Sequence, residues 1–191
     1  MTLSDVSSGM VREARDRLKG CVPRFEWEVA EVRSLPHRRS SFGRVVANHM
    51  LYHVVNIDDA LSEICRVLKP RGRLYATTVG RGHMREVGDL VREFAGSPEA
   101  WEDTVPSQFL IEDGDEWLSR WFSGVTLKRY EDTLEITSID PLVAYAASVV
   151  GDTVLAGGGR AAFKQLVEQR LAQTGVIRVT KETGLFEATK G

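Results

Sequence analysis

Apolar residues along this chain recur at two spacings, in alternating blocks. Val45-Val46-Ala47 is a short, β-branched run and reads as a buried strand. After the polar pair Asn48-His49, the residues Ala60, Leu61, Ile64, Val67 and Leu68 fall at helical spacing. Pro70 disfavours helix at Lys69, Gly72 supplies a turn, and Arg73–Thr78 begins a second strand. Phe42–Gly72 with the strand behind it is therefore a strand–helix–strand unit, which builds parallel sheets covered by helices. Ligands of open α/β sheets bind beyond the carboxyl ends of the strands. That marks Asn48, His49 and the residues after Thr78 as candidates.

The same patterns extend to both sides. Met1–Asp5 reads as the tail of a strand. Ser7 or Ser8 caps a helix with Met10, Val11, Ala14 and Leu18 on one face, ended by Gly20. Pro23 begins a new segment, in which Phe25, Trp27 and Val29 alternate with Glu26 and Glu28 as a half-buried strand near a sheet edge. Val32–Ser41 is a polar loop. Beyond the Gly80-Arg81-Gly82 loop, helices are expected over His83–Phe94, Glu116–Phe122, Pro141–Val150 and Arg160–Gln173, with a loop-rich cover over Gly96–Asp113. Val125–Tyr130 and Thr133–Thr137 read as one strand bent at Asp132. Val176–Thr180 and Leu185–Thr189, on either side of Glu182-Thr183-Gly184, read as a closing antiparallel hairpin. Gly157-Gly158-Gly159 lacks the spacing of a phosphate loop and reads as a hinge.

Length and composition narrow the classes. A chain of 191 residues, 42% hydrophobic and 27% charged, suits one globular α/β domain. Its parts would be a core over 1–80, a helical cover and strand over 81–175, and the hairpin over 176–191. A formal net charge of -2 gives no general field for nucleic acid or an anionic membrane. Cys21 and Cys65 form no disulfide framework. No secretory leader or membrane-spanning run is evident, so the expected address is the cytoplasm. His49 and His53 lie four apart, but no third ligand is evident, and no metal is expected. Either is a candidate general base.

Four stretches together, Thr2–Leu18, Val29–His37, Val45–Val54 and Arg66–Thr78, resemble the class I, S-adenosylmethionine-dependent methyltransferases that act on small molecules. The likeness is close over Thr2–Thr78 and looser beyond. It implies a Rossmann-like, mostly parallel sheet and S-adenosylmethionine as cofactor. Asp5 would end the family's second strand and accept both ribose hydroxyls, a task suited to a group with two acceptor oxygens. Glu31 would accept from the adenine amino group, the Val32 N–H would meet a ring nitrogen, and Asn48 would stand near the methyl donor. From the residues alone, Asp5 also reads as a turn former ahead of Ser7, and Glu31 as a solvated continuation of the Glu26 and Glu28 row.

The departures from the family are as informative. The family's first strand and Gly-rich turn have no counterpart, Arg71 stands where the family has Gly, and Gly43-Arg44 replace its Asp. In the family order 3-2-1-4-5-7-6, omitting strand one leaves about 10 Å between strands two and four, with buried backbone unpaired on both sides. Three resolutions follow: a truncated or shortened chain, direct pairing of strands two and four, or a second chain covering the gap as a homodimer. Two functions follow as well. One is methyl transfer to a small-molecule acceptor, with Ala95–Phe122 and Pro141–Val150 covering the substrate. The other is a truncated, non-catalytic binding or scaffold subunit. A dehydrogenase on a related sheet is disfavoured by the closing hairpin and the Asn48-His49 turn.

Overall fold

The computed structural model describes residues 1–21, 24–101 and 108–191, and the segment start expected at Pro23 lies outside these. Ser7 does cap the first helix: its Oγ accepts the Met10 N–H at 3.3 Å, between strand β1 (Thr2–Asp5) and helix α1 (Ser8–Arg17). Strand β2 (Glu26–Val29) and the polar loop lead to strand β3 (Phe42–Asn48). Helix α2 (Ile57–Val67) buries the stripe Ala60, Leu61, Ile64 and Val67 and passes at Leu68 directly into strand β4 (Leu68–Val79). Pro70 thus lies at the start of a strand, a place that tolerates its missing N–H.

Helix α3 (Arg85–Ala95) ends on Gly96 in the left-handed conformation, as a C-capping glycine should. Helix α4 (Gly114–Ser119) precedes strand β5 (Ser123–Ile136), which runs unbroken past Asp132. Helix α5 (Ile139–Leu155) is kinked at Gly151, where φ is 64° and ψ is -164°. Helix α6 (Gly159–Thr174) then leads to strand β6 (Ile177–Thr189).

The expected closing hairpin is instead this one strand. Glu182-Thr183-Gly184 stays extended, and β6 pairs antiparallel with β5 from Ser123↔Thr189 to Ile136↔Ile177, in one register from Thr126↔Glu187 onward after a shift between Ser123 and Thr126. Gly184 is needed for close approach, not for a turn. A Cβ there would come within 2.9 Å of both Ile111 Cγ1 and Leu127 Cδ1.

The strands form two separately hydrogen-bonded pieces. One has the order β3-β4-β6-β5, with β3 parallel to β4 and β6 antiparallel to both its neighbours. The other is the parallel pair β1-β2. The pieces match the family order with its first strand left out, and β1 does not close onto β3.

Two cores hold the larger piece. Leu61, Ile64, Leu74, Phe109, Leu118 and Phe186 pack α2 and α4 against one sheet face. Val87, Val91, Leu142, Phe163, Val167 and Val179 pack α3, α5 and α6 beyond it. The apolar face expected on α1 packs into neither core: no α1 residue is buried, and Met10 is 54% exposed. Among the described residues, none before Ala47 is buried.

Candidate active site

Four of the expected positions stand at or just beyond the carboxyl ends of parallel strands. Asp5 is the last residue of β1 and is exposed. Its Oδ1 accepts the Ser7 N–H at 2.7 Å, which makes the turn ahead of α1. Glu31 lies two residues past β2. Its Oε1 accepts from the N–H and the Nε of Arg33, both at 3.2 Å. The Arg33 side chain and then its backbone N–H hold the Glu31 carboxyl below its ordinary range, with a smaller push from the Val32 N–H. Glu31 is therefore a carboxylate whose charge is partly answered from within its own turn, and the Val32 N–H is directed at it.

Asn48 ends β3. Its Oδ1 accepts the Thr77 hydroxyl at 2.6 Å, across to β4. The His49 N–H reaches the Thr77 Oγ1 at 3.0 Å and the Thr77 carbonyl at 3.3 Å. These bonds hold His49 at φ 48°, a left-handed backbone that histidine adopts more readily than most residues. The His49 ring meets Tyr52 edge-on at 6.3 Å, and Tyr52 in turn lies 4.4 Å from the His53 ring. His53 is exposed, on a single 3-10 turn over Leu51–His53.

The structure adds His83 to this group. Its Nδ1 accepts the Glu182 N–H at 3.1 Å, so the neutral ring carries its proton on Nε2. Burial pushes the pKa of His83 down against the upward pull of its Glu182 contact, and Lys181 pushes down as well. Burial and then Lys181 lower His49 as well. Two imidazoles that are uncharged at neutral pH thus share the tips of β3 and β4. The Glu182 carboxylate closes the floor by accepting the Gly82 N–H at 3.3 Å and an Arg129 N–H at 3.3 Å. A side chain at Gly80 would overlap it.

Sequence spacing could not find His83, because its partner lies 99 residues away on β6. The only signal was the Gly80-Arg81-Gly82 loop at the correct end of β4. Asn48, His49, His53 and His83 are thus brought together, whereas Asp5, Glu31 and Val32 sit on the separate β1-β2 piece. Among the described residues no group of three or more His, Cys, Asp or Glu side chains could hold a metal ion, and no helix is long and apolar enough to cross a membrane.

Known proteins resemble this chain in two ways. The methyltransferase-domain family matches residues 1–76. A ubiquinone/menaquinone biosynthesis C-methyltransferase, UbiE, of Francisella tularensis subsp. tularensis (strain WY96-3418) is 39% identical over 74 residues, which are 38% of this chain and 30% of that protein. The likeness to solved structures spans the chain. The YcgJ protein of Bacillus subtilis has a TM-score of 0.62 at 15% identity, over 99% of this chain and 81% of that one. The phosphoethanolamine N-methyltransferase 2 of Haemonchus contortus, solved with phosphomonomethylethanolamine and S-adenosylhomocysteine, has a TM-score of 0.53 at 20% identity, over 99% of this chain and 43% of that one. At such identities the likeness shows the fold alone.

Proposed function

We propose, from the match of residues 1–76 to the methyltransferase-domain family and from the methyltransferase-like fold of the chain, that it transfers the methyl group of S-adenosylmethionine to a small-molecule acceptor. The observation that supports this most is the placing of two carboxylates, the exposed Asp5 and the half-buried Glu31, at the tips of adjacent parallel strands.

The residues present fit the nucleoside half of the cofactor. Asp5 has a free oxygen for the ribose hydroxyls. Glu31 is ionised and can accept from an exocyclic amine, while the Val32 N–H, directed at Glu31, reaches a ring nitrogen only by turning from it. Bound S-adenosylmethionine supplies a methyl group already activated on a positive sulfur, so the protein has mainly to align the acceptor and exclude water. Asn48 borders that region. His49, neutral at pH 7, can take a proton from an acceptor oxygen, nitrogen or carbon, with His53 the alternative base. Segments within 81–175 supply the cover.

Isothermal titration with S-adenosylmethionine tests the reading. Binding is expected, and Asp5→Ala is expected to weaken it at least tenfold, about 1.4 kcal/mol. No binding at millimolar cofactor overturns it.

A further inference from the structure

Just past the end of β4, which pairs with β6 as far as Val79↔Thr183, one cation stands without an answering charge. Lys181 is half-buried, and among the described residues its ammonium makes no hydrogen bond or ion pair. Its cross-strand neighbour Asp132 turns its carboxylate back to the Thr133 N–H at 2.8 Å. Strand alternation puts Glu182 on the other face, where its carboxylate is held by Arg129 and the Gly82 N–H. A lysine drawn partly out of water ordinarily finds a partner.

The main chain on either side of Lys181 fixes a second donor. The Thr180 carbonyl accepts the Met84 N–H at 2.8 Å, and the Glu182 N–H goes to Nδ1 of His83 at 3.1 Å. With Nδ1 used in this way, the His83 Nε2–H is held as a donor, and among the described residues it has no acceptor. The charge of Lys181 bears on His83 and on His49 alike, so the three groups share one site. Aromatic rings stand beside it. Tyr52 meets His49 edge-on at 6.3 Å and is near enough to Tyr145 for one phenol to bear on the other, and Tyr145 lies 6.4 Å from the Trp101 ring. Burial raises the pKa of both phenols and keeps them protonated. A cation and a neutral N–H donor next to an aromatic wall complement a flat, apolar molecule that bears one ionised oxygen.

We propose that Lys181 and the His83 Nε2–H together hold an ionised oxygen, carboxylate or phenolate, of the methyl acceptor, with the body of that molecule against Tyr52 and Tyr145. Lys181 supplies the charge and His83 the direction. His49, on the same side, is then the neutral imidazole nearest the held group. That the anion belongs to the methyl acceptor rests on the proposed function. The anion subsite itself does not.

Nuclear magnetic resonance of the imidazole ring signals of the 191-residue chain, at pH 8 and without cofactor, provides the test. The chain has four histidines, so each signal is assigned by replacing each in turn with glutamine. The probes are benzoate, 4-nitrophenolate and, as the uncharged control, benzamide. At least one anion is expected to shift the His49 and His83 signals saturably and leave His37 unmoved, and the tighter of the two names the kind of oxygen held. Benzamide is expected to bind at least tenfold more weakly, and Lys181→Met to weaken the anion at least tenfold. Lys181→Arg is expected to keep the binding, and Lys128→Met, which removes an exposed lysine of β5, to change nothing. In the free chain Lys181→Met is also expected to raise the pKa of both imidazoles, since the cation that presses on them is gone. Four results overturn the proposal: no shift with either anion, an equal shift with benzamide, unchanged affinity in Lys181→Met, or an equal loss in Lys128→Met. Because no cofactor is present, the two readings fail separately. A chain that binds the anion but not S-adenosylmethionine keeps the subsite and loses methyl transfer, and the reverse result does the opposite.

Discussion

Glu86, in the first turn of α3, shows how one residue can tie a helix to the sheet. Its carboxylate accepts the Thr180 N–H at 2.8 Å and the Thr180 hydroxyl at 2.6 Å. Burial by itself would raise the pKa of this group, but the two bonds from Thr180 outweigh it and hold the pKa at about 2 against an ordinary 4.5. Between those values the unfolded chain binds the proton and the folded one does not. Stability from Glu86 is therefore complete above pH 4.5 and is lost as pH falls towards 2. The full difference corresponds to roughly 3 kcal/mol, and solvent screening of a side chain still 28% exposed reduces it to about 1–2 kcal/mol. Urea unfolding at pH 6 and at pH 3 is expected to show that loss in the native chain, and Glu86→Gln is expected to remove most of the difference. A second residue tests packing instead of charge. Gly114 opens α4 directly over the Phe186 ring, which is 1% exposed, and a Cβ would overlap that ring. Gly114→Ala is expected to cost about 1–3 kcal/mol by overpacking. In a chain of this size that lowers the melting temperature by about 2–4 °C for each kcal/mol, readable by calorimetry.

Between elements, one polar knot attaches the β2–β3 loop to the larger piece. Arg66, in the last turn of α2, donates to the His37 carbonyl at 2.7 Å and the Leu35 carbonyl at 2.9 Å. Its neighbour Glu63 accepts the Leu35 N–H at 2.8 Å and binds the guanidinium. Arg66→Ala frees two loop carbonyls and leaves Glu63 without its counter-ion. The expected outcome is at least tenfold faster amide exchange over residues 33–41 with α6 unchanged. None of this was legible in the sequence, where Arg66 is one more polar residue on a helix back. What was legible were the elements whose periodicity is local: the strand–helix–strand unit of β3, α2 and β4, the Ser7 cap, and the strand character of β5 on both sides of Asp132. The misread element was β6, because Glu182-Thr183-Gly184 has the composition of a turn, whereas Ile111 and Leu127 require the small residue. Likewise His49 could be proposed from its place after a strand, but His83 could not, since β6 must be aligned before Glu182 reaches it.

At the scale of the whole molecule, burial is divided very unevenly. The buried members of both cores come from Ala47 onward; of the described residues before it, Val32 and Val45 pack half-buried against the larger core. The stability of β1, α1 and β2 therefore comes from their own ladder, the Val32 packing, the Arg66 knot, and the His37–Glu28 contact at 2.9 Å. Such a region opens at a small fraction of the cost of global unfolding. Residues 1–41 are expected to exchange at least a hundredfold faster than β4 and β6 under native conditions. In urea, Trp27, which reports on β2, is expected to change before Trp117, which packs against the larger core. Trypsin offers an independent check. Arg38 and Arg39 are exposed in the loop that joins the two pieces, and a first cut there is expected to leave residues from 40 onward folded, with the helix signal of α2 to α6 and its cooperative transition preserved. The division is wrong if Thr2–Val29 exchanges as slowly as β6, or if the two tryptophans report a single transition.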